Sequence, residues 1–100
     1  MRRLSYTKAA ARDLADILSY LAERAGDGEP ALRFVQRLKG QCRRLAELPG
    51  ALGRPRDDIR PGIRSFAYRG YVILFRYEDD VLRIIAVIEG HRDIDTLMKR

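Results

Sequence analysis

One hundred residues with 46% hydrophobic and 34% charged content make one small domain, spanning 1–100, and exclude a disordered chain. The formal charge is +6, and 17 of the 20 basic residues are arginines, a surface suited to phosphate- or carboxylate-bearing partners. One cysteine, Cys42, excludes an internal disulfide and a cysteine-rich metal site; the expected compartment is the cytoplasm, and no apolar run is long enough to make a membrane span.

"RRLSY" (Arg2 to Tyr6) alternates Leu4 and Tyr6 with Arg3 and Ser5, the period of a strand. Thr7 is placed to cap a helix over Lys8 to Ala25, whose apolar stripe is Ala10, Leu14, Ile17, Leu18, Leu21 and Ala25. Arg12, Asp13, Asp16 and Glu23 fall on its other faces. "AGDGEP" breaks that helix, with Pro30 suited to the first turn of the next. The second helix runs to about Leu48 with the stripe Ala31, Val35, Leu38, Cys42, Leu45 and Leu48. Two such helices joined by about five residues form an antiparallel hairpin, and each needs a sheet to cover its stripe.

"PGALGRPRDDIRPG" (Pro49 to Gly62) reads as a long irregular tether. Then come "IRSFAY", "YVILFRY" and "VLRIIAVIE", separated by "RG" and "EDD", which predict a three-stranded antiparallel meander. Strict alternation in the last strand puts Ile84, Ala86 and Ile88 on one face and Ile85 and Val87 on the other, a pattern for a central, covered strand. "DIDTLMKR" reads as a short C-terminal helix. The whole is a two-layer α+β domain: N-terminal strand, antiparallel helical hairpin, three-stranded meander and short helix, with the far face of the sheet left largely open.

Chemistry is constrained by what is missing. One histidine and one cysteine far apart make no metal cage, no glycine-rich loop is available for phosphates, and the serines lie in no nucleophile motif; no metal and no cofactor is expected. The acidic pairs Asp57-Asp58 and Asp79-Asp80 read as turn residues. Arginine remains. Arg64, Arg76 and Arg83 lie on predicted strands, where a charge belongs on the open face or an edge, and Arg92 follows the last strand. Arg60, Arg64, Arg76, Arg83 and Arg92 are therefore candidates for contact with a protein or nucleic-acid target, with direct nucleic-acid binding left open. A GC-rich coding sequence would raise arginine too, so the excess alone identifies no partner. Arg33, Arg37 and Arg44 share one face of the second helix, read as a solvated back face.

The ordered set "RPGIR", "YVILFRY" and "IEGHRD", preceded by "LSYTKAAARDLADILSYLAERAG", resembles the ParE branch of the ParE/RelE toxin superfamily across nearly the whole chain. The resemblance implies the strand, hairpin and meander already derived. It also implies a role as the toxin of a type II toxin–antitoxin pair, silenced by a ParD-type antitoxin and inhibiting DNA gyrase so that replication stops. RelE-like members instead cut messenger RNA on the ribosome. That alternative would draw on Arg64, Arg76, His91 and Arg92, yet the position that carries a basic residue in the RelE middle strand is Val72, and the C-terminal acid position is approximately Met98. RNA cleavage needs a group to move a proton, and one arginine does not supply it. Gly90 permits a bend, so "IEGHRDI" reads as the turn out of the last strand, with His91 structural, Arg92 a contact residue and catalytic residues none. For the antitoxin, an apolar groove between hairpin and sheet is expected, lined by Leu14, Ile17, Leu18, Leu21, Val35, Leu38, Tyr71, Ile73 and Phe75.

Overall fold

The structure is a computed structural model that describes residues 1–90; His91, Arg92 and the predicted C-terminal helix lie outside the described residues. Its elements run β1 (Arg3–Tyr6), α1 (Lys8–Ala25), α2 (Gly28–Glu47), β2 (Arg54–Pro55), β3 (Arg64–Tyr68), β4 (Tyr71–Glu78) and β5 (Val81–Glu89). The strands form one sheet in the order β1-β5-β4-β3-β2, antiparallel except for the parallel pair β1 and β5. That parallel pair is what a helical crossover from an edge strand produces, and α1 and α2 supply the crossover.

Thr7 joins strand to helix within a single residue. Its Oγ1 accepts from the Ala10 N–H at 3.0 Å and donates to the Ile85 carbonyl at 2.9 Å, so one side chain caps α1 and pins it to β5. Gly26 ends α1 in the left-handed conformation (φ 69°), and Asp27 caps α2 by accepting from the Glu29 N–H. The hairpin connection is thus shorter than predicted, and Pro30 sits within the first turn, where its missing N–H costs nothing. Except at their C-terminal ends, where Ala25 is exposed and Leu48 is 42% exposed, the stripes meet the sheet: Ala10, Leu14, Ile17, Val35, Leu38, Cys42 and Leu45 pack with Ile73, Phe75, Leu82, Ile84 and Val87. Each fully buried leucine or isoleucine there contributes about 1.5–3 kcal/mol.

Two expectations are corrected. First, β5 does not alternate strictly. Leu74 pairs with Ala86 but Phe75 pairs with Ile84, so Ile85 is an extra residue in a bulge. The bulge reverses the parity beyond it: Ile84 and Val87 face the helices, while Ala86 and Ile88 join Arg83 on the other face. Second, that other face is not open. Ile63, Leu74, Ala86 and Ile88 are buried there, and Ile59, Val72 and Ile85 pack against them. The supposed tether is a folded loop, with the Arg56 N–H donating to the Ile63 carbonyl at 2.7 Å and the Ile59 N–H to the Arg56 carbonyl at 3.0 Å. It lays Ile59 and Ile63 across the sheet, because two isoleucines exposed beside an apolar strand would waste burial that the loop can supply.

Gly53 lets this segment pass close to the sheet. Its φ is 75°, and a Cβ there would lie 2.6 Å from the Ser65 carbonyl oxygen and 2.8 Å from Cζ of Phe75. No helix among the described residues is long and apolar enough to cross a membrane.

Candidate functional site

The register of β4 and β5 sets Arg76 directly opposite Arg83, and that of β1 and β5 sets Ser5 beside Arg83. Two guanidiniums side by side would repel, and the carboxylate of Glu78 separates them. Its Oε2 accepts from Nε of Arg76 at 2.7 Å and its Oε1 from Nε of Arg83 at 2.8 Å; the second nitrogen of Arg76 also meets Oε2. Arg83 reaches on to Oγ of Ser5 at 3.1 Å. The Arg83 hydrogen bond first, then that of Arg76, hold the Glu78 carboxyl below its ordinary range. This centre is therefore cationic by one charge and partly exposed. Its carboxylate is ionised at neutral pH and committed to two arginines, which makes it a poor proton acceptor.

Arg64 does not join them. It pairs with Phe75 and so faces the helix side, where Nε donates to the Leu52 carbonyl at 2.6 Å and its terminal nitrogen to that of Gly53 at 3.1 Å. The sheet stands between Arg64 and Arg76, so of the three strand arginines only Arg76 and Arg83 share the face away from the helices. The role of Arg64 is to close the loop onto β3. Arg60 is exposed on the loop that crosses the Arg76 face, near Gly62, against which the Arg76 stem packs. His91 and Arg92 lie outside the described residues.

The expected apolar groove is likewise mostly core. Leu14, Ile17, Val35, Leu38, Ile73 and Phe75 are between 0% and 8% exposed, closed between hairpin and sheet. A stripe that pairs with its own sheet leaves nothing for a partner at those positions. Leu18, Leu21 and Tyr71 are only half-buried. Around them the structure gathers an aromatic group that the stripes did not indicate: Phe34 lies 5.6 Å from the Tyr71 ring and 6.3 Å from the Tyr68 ring. Phe34 sits one residue before Val35, about 100° round the helix, so it falls outside a stripe read by threes and fours. Burial, then the negative charge of Glu89, push the Tyr71 hydroxyl up from its ordinary value. Tyr20 and Leu32 remain about half exposed, at 48% and 47%. Among the described residues, no group of three or more His, Cys, Asp or Glu is arranged to hold a metal.

Residues 4–94 match the family model described as the ParE toxin of the type II toxin–antitoxin system, parDE. The chain belongs to the ParE toxin family. Its relatives include Toxin ParE3 of Caulobacter vibrioides, 28% identical over 94% of this chain and 92% of that one. Toxin ParE1 of the same organism is 32% identical over 76% of this chain and 77% of that one. Among solved structures, the chain described as the chromosomal ParDE TA system from P. aeruginosa superposes with a TM-score of 0.76 at 29% identity, covering 89% of this chain and 96% of that one. The isolated E. coli RelE toxin superposes with a TM-score of 0.64 at 16% identity, over 99% and 95%. The second likeness is one of fold alone. This ParE toxin thus keeps the sheet and hairpin that RelE shares, with the Arg76–Glu78–Arg83 centre on the sheet face away from its helices.

Proposed function

We propose that this ParE-family toxin acts by binding DNA gyrase and blocking replication, in the cytoplasm, until a ParD-type antitoxin silences it. The observation that carries the reading is the Arg76–Glu78–Arg83 centre: two arginine forks held by one carboxylate form a surface for binding, and that carboxylate, committed to both arginines, is a poor proton acceptor. A ribonuclease built on Arg64 and Arg76 would need both on one face, and β3 and β4 turn them to opposite faces. Arg60 lies on the loop that crosses the face carrying Arg76 and Arg83 and is proposed as a further contact residue.

The antitoxin is assigned to the half-buried apolar end of the domain, at Leu18, Leu21, Phe34, Tyr68 and Tyr71. Amphipathic helices dock on such surfaces, and a net charge of +6 favours an acidic partner. The ParDE description of the P. aeruginosa structure supports a ParD-type partner.

The test is a gyrase supercoiling assay with the purified chain. Loss of supercoiling, reversed by antitoxin and weakened at least tenfold in the Arg76→Ala/Arg83→Ala variant, is expected. Full supercoiling at excess toxin, with cleavage of messenger RNA on ribosomes, would replace this reading with the ribonuclease one.

A further inference from the structure

The outer face of α2 carries an arginine stripe. Arg33, Arg37, Gly40 and Arg44 recur at spacings of four, three and four, within about 60° of one another, over an axial length of about 17 Å. A helix with a long cationic stripe is often only a solvated back face. Here the stripe does not stand free in solvent: together with Gln36 and Gln41 it lines an open groove of about 500 Å³ whose far wall is Tyr68 on β3. Among the described residues, no carboxylate lines this groove. Arg33 pairs with Glu29 at 3.3 Å on the exposed rim, whereas no ion pair among the described residues engages Arg37 or Arg44. A Cβ at Gly40 would meet a guanidinium nitrogen of Arg43 at 3.6 Å, so the Arg43 side chain also lies over this part of the groove.

We propose that this groove binds a single-stranded nucleic-acid segment, with Arg37 and Arg44 on successive phosphates, the two glutamine amides on base edges, and Tyr68 as a stacking wall. An acidic peptide would satisfy the arginines equally well, so charge alone does not choose. The choice rests on the other residues. Each glutamine amide offers a donor and an acceptor, the combination a base edge presents, whereas a carboxylate would use only the donors. The Tyr68 ring packs with Phe34 at 6.3 Å and has the Arg69 guanidinium carbon 5.6 Å from its centre, so a base stacked there would meet an aromatic face beside a cation. A basic track with a fixed aromatic beside it is how single strands are held without sequence readout. The groove lies on the helix side of the sheet, away from Arg76 and Arg83, and shares Tyr68 with the surface assigned to the antitoxin, so the chain is tested without antitoxin.

The experiment uses the purified full chain and a fluorescein-labelled oligothymidylate of about 20 nucleotides, followed by fluorescence anisotropy at rising salt. Binding should weaken as salt rises. The Arg37→Glu/Arg44→Glu variant, both positions being exposed, should melt as the parent does. It should bind at least tenfold more weakly, with the logarithmic salt slope reduced by about 1.4, roughly 0.7 per phosphate contact on a single strand. Tyr68→Phe should bind as the parent does, and Tyr68→Ala about tenfold more weakly. Unchanged affinity in the double variant overturns the proposal, as does absence of binding at about 50 mM salt. A polyglutamate peptide bound more tightly than the oligonucleotide, with the same dependence on Arg37 and Arg44 and none on Tyr68, also overturns it and reassigns the groove to an acidic protein segment.

Discussion

Asp13 on α1 accepts a hydrogen bond from the backbone N–H of Val87 on β5, at 3.0 Å and across 74 residues of chain. β1 pairs with β5 only from Val81 to Ile84, so beyond that point the β5 edge would be left without a partner strand. Two side chains substitute for it: Thr7 donates to the Ile85 carbonyl, and Asp13 accepts from Val87. Asp13 is 7% exposed, a buried carboxyl group on a helix face that periodicity alone assigns to solvent. Asp13→Leu should cost about 2–3 kcal/mol, since it strands a buried N–H, whereas Asp13→Asn keeps an oxygen acceptor and should cost about 1 kcal/mol. Urea unfolding checks this through the midpoint, at unchanged slope.

Gly53 and Gly50 share a positive φ, 75° and 82°, but differ in surroundings. Alanine at Gly50 meets nothing within 4 Å, so only the left-handed conformation penalises it, by about 1–2 kcal/mol. Alanine at Gly53 adds a collision with the Ser65 carbonyl and the Phe75 ring, and should cost about 3–4 kcal/mol. Thermal melts of the two variants separate conformation from crowding. Equal losses would show that the loop yields at Gly53.

Glu78 links folding to pH in a defined direction. Its folded-state pKa is depressed, so its contribution to stability is present above the unfolded value, about 4.3, and is lost as pH falls through the folded value. Glu78→Gln should therefore be less stable than the parent at neutral pH, and the difference should shrink as the solution is acidified below about pH 4. Parallel urea titrations over that range are the measurement. A difference that does not depend on pH would mean the effect is one of packing.

Cys42 is fully buried, and burial pushes its thiol up to about 11. The thiolate is the reactive form, so at about pH 8 the native protein should resist a thiol reagent, reacting only through opening of the core. Urea at the unfolding midpoint should accelerate labelling by orders of magnitude. A raised folded pKa also means that stability falls as pH rises from the unfolded thiol value, about 8.5, towards 11. Fast labelling in the absence of denaturant would show that the hairpin does not close over the sheet as described.

The helices were legible because their stripes repeat at threes and fours, and Thr7 and Gly26 mark the ends of α1 by chemistry that acts within a turn. The meander was legible because Arg69 and Gly70, both at positive φ, fit a two-residue hairpin. The candidate site was legible only in part. Arginine on strands pointed to Arg76 and Arg83, but separating Arg64 from them required knowing the face of each strand. That depends on pairing: Arg64 lies opposite Phe75, and Phe75 faces the helices.

The sequence by itself determined the α+β class, the order of first strand, helical hairpin and meander, and the family, because periodicity, caps and turns are properties of neighbouring residues. Only the tertiary structure decided which apolar residues are core and which remain accessible, and which arginines meet. The bulge at Ile85 exchanges the faces of everything after it, the loop carrying Ile59 and Ile63 closes a face that looked open, and Glu78 draws Arg76 and Arg83 together. Each is a relation between residues distant in sequence or displaced by one in register. A one-residue slip inverts a strand's two faces without changing its composition.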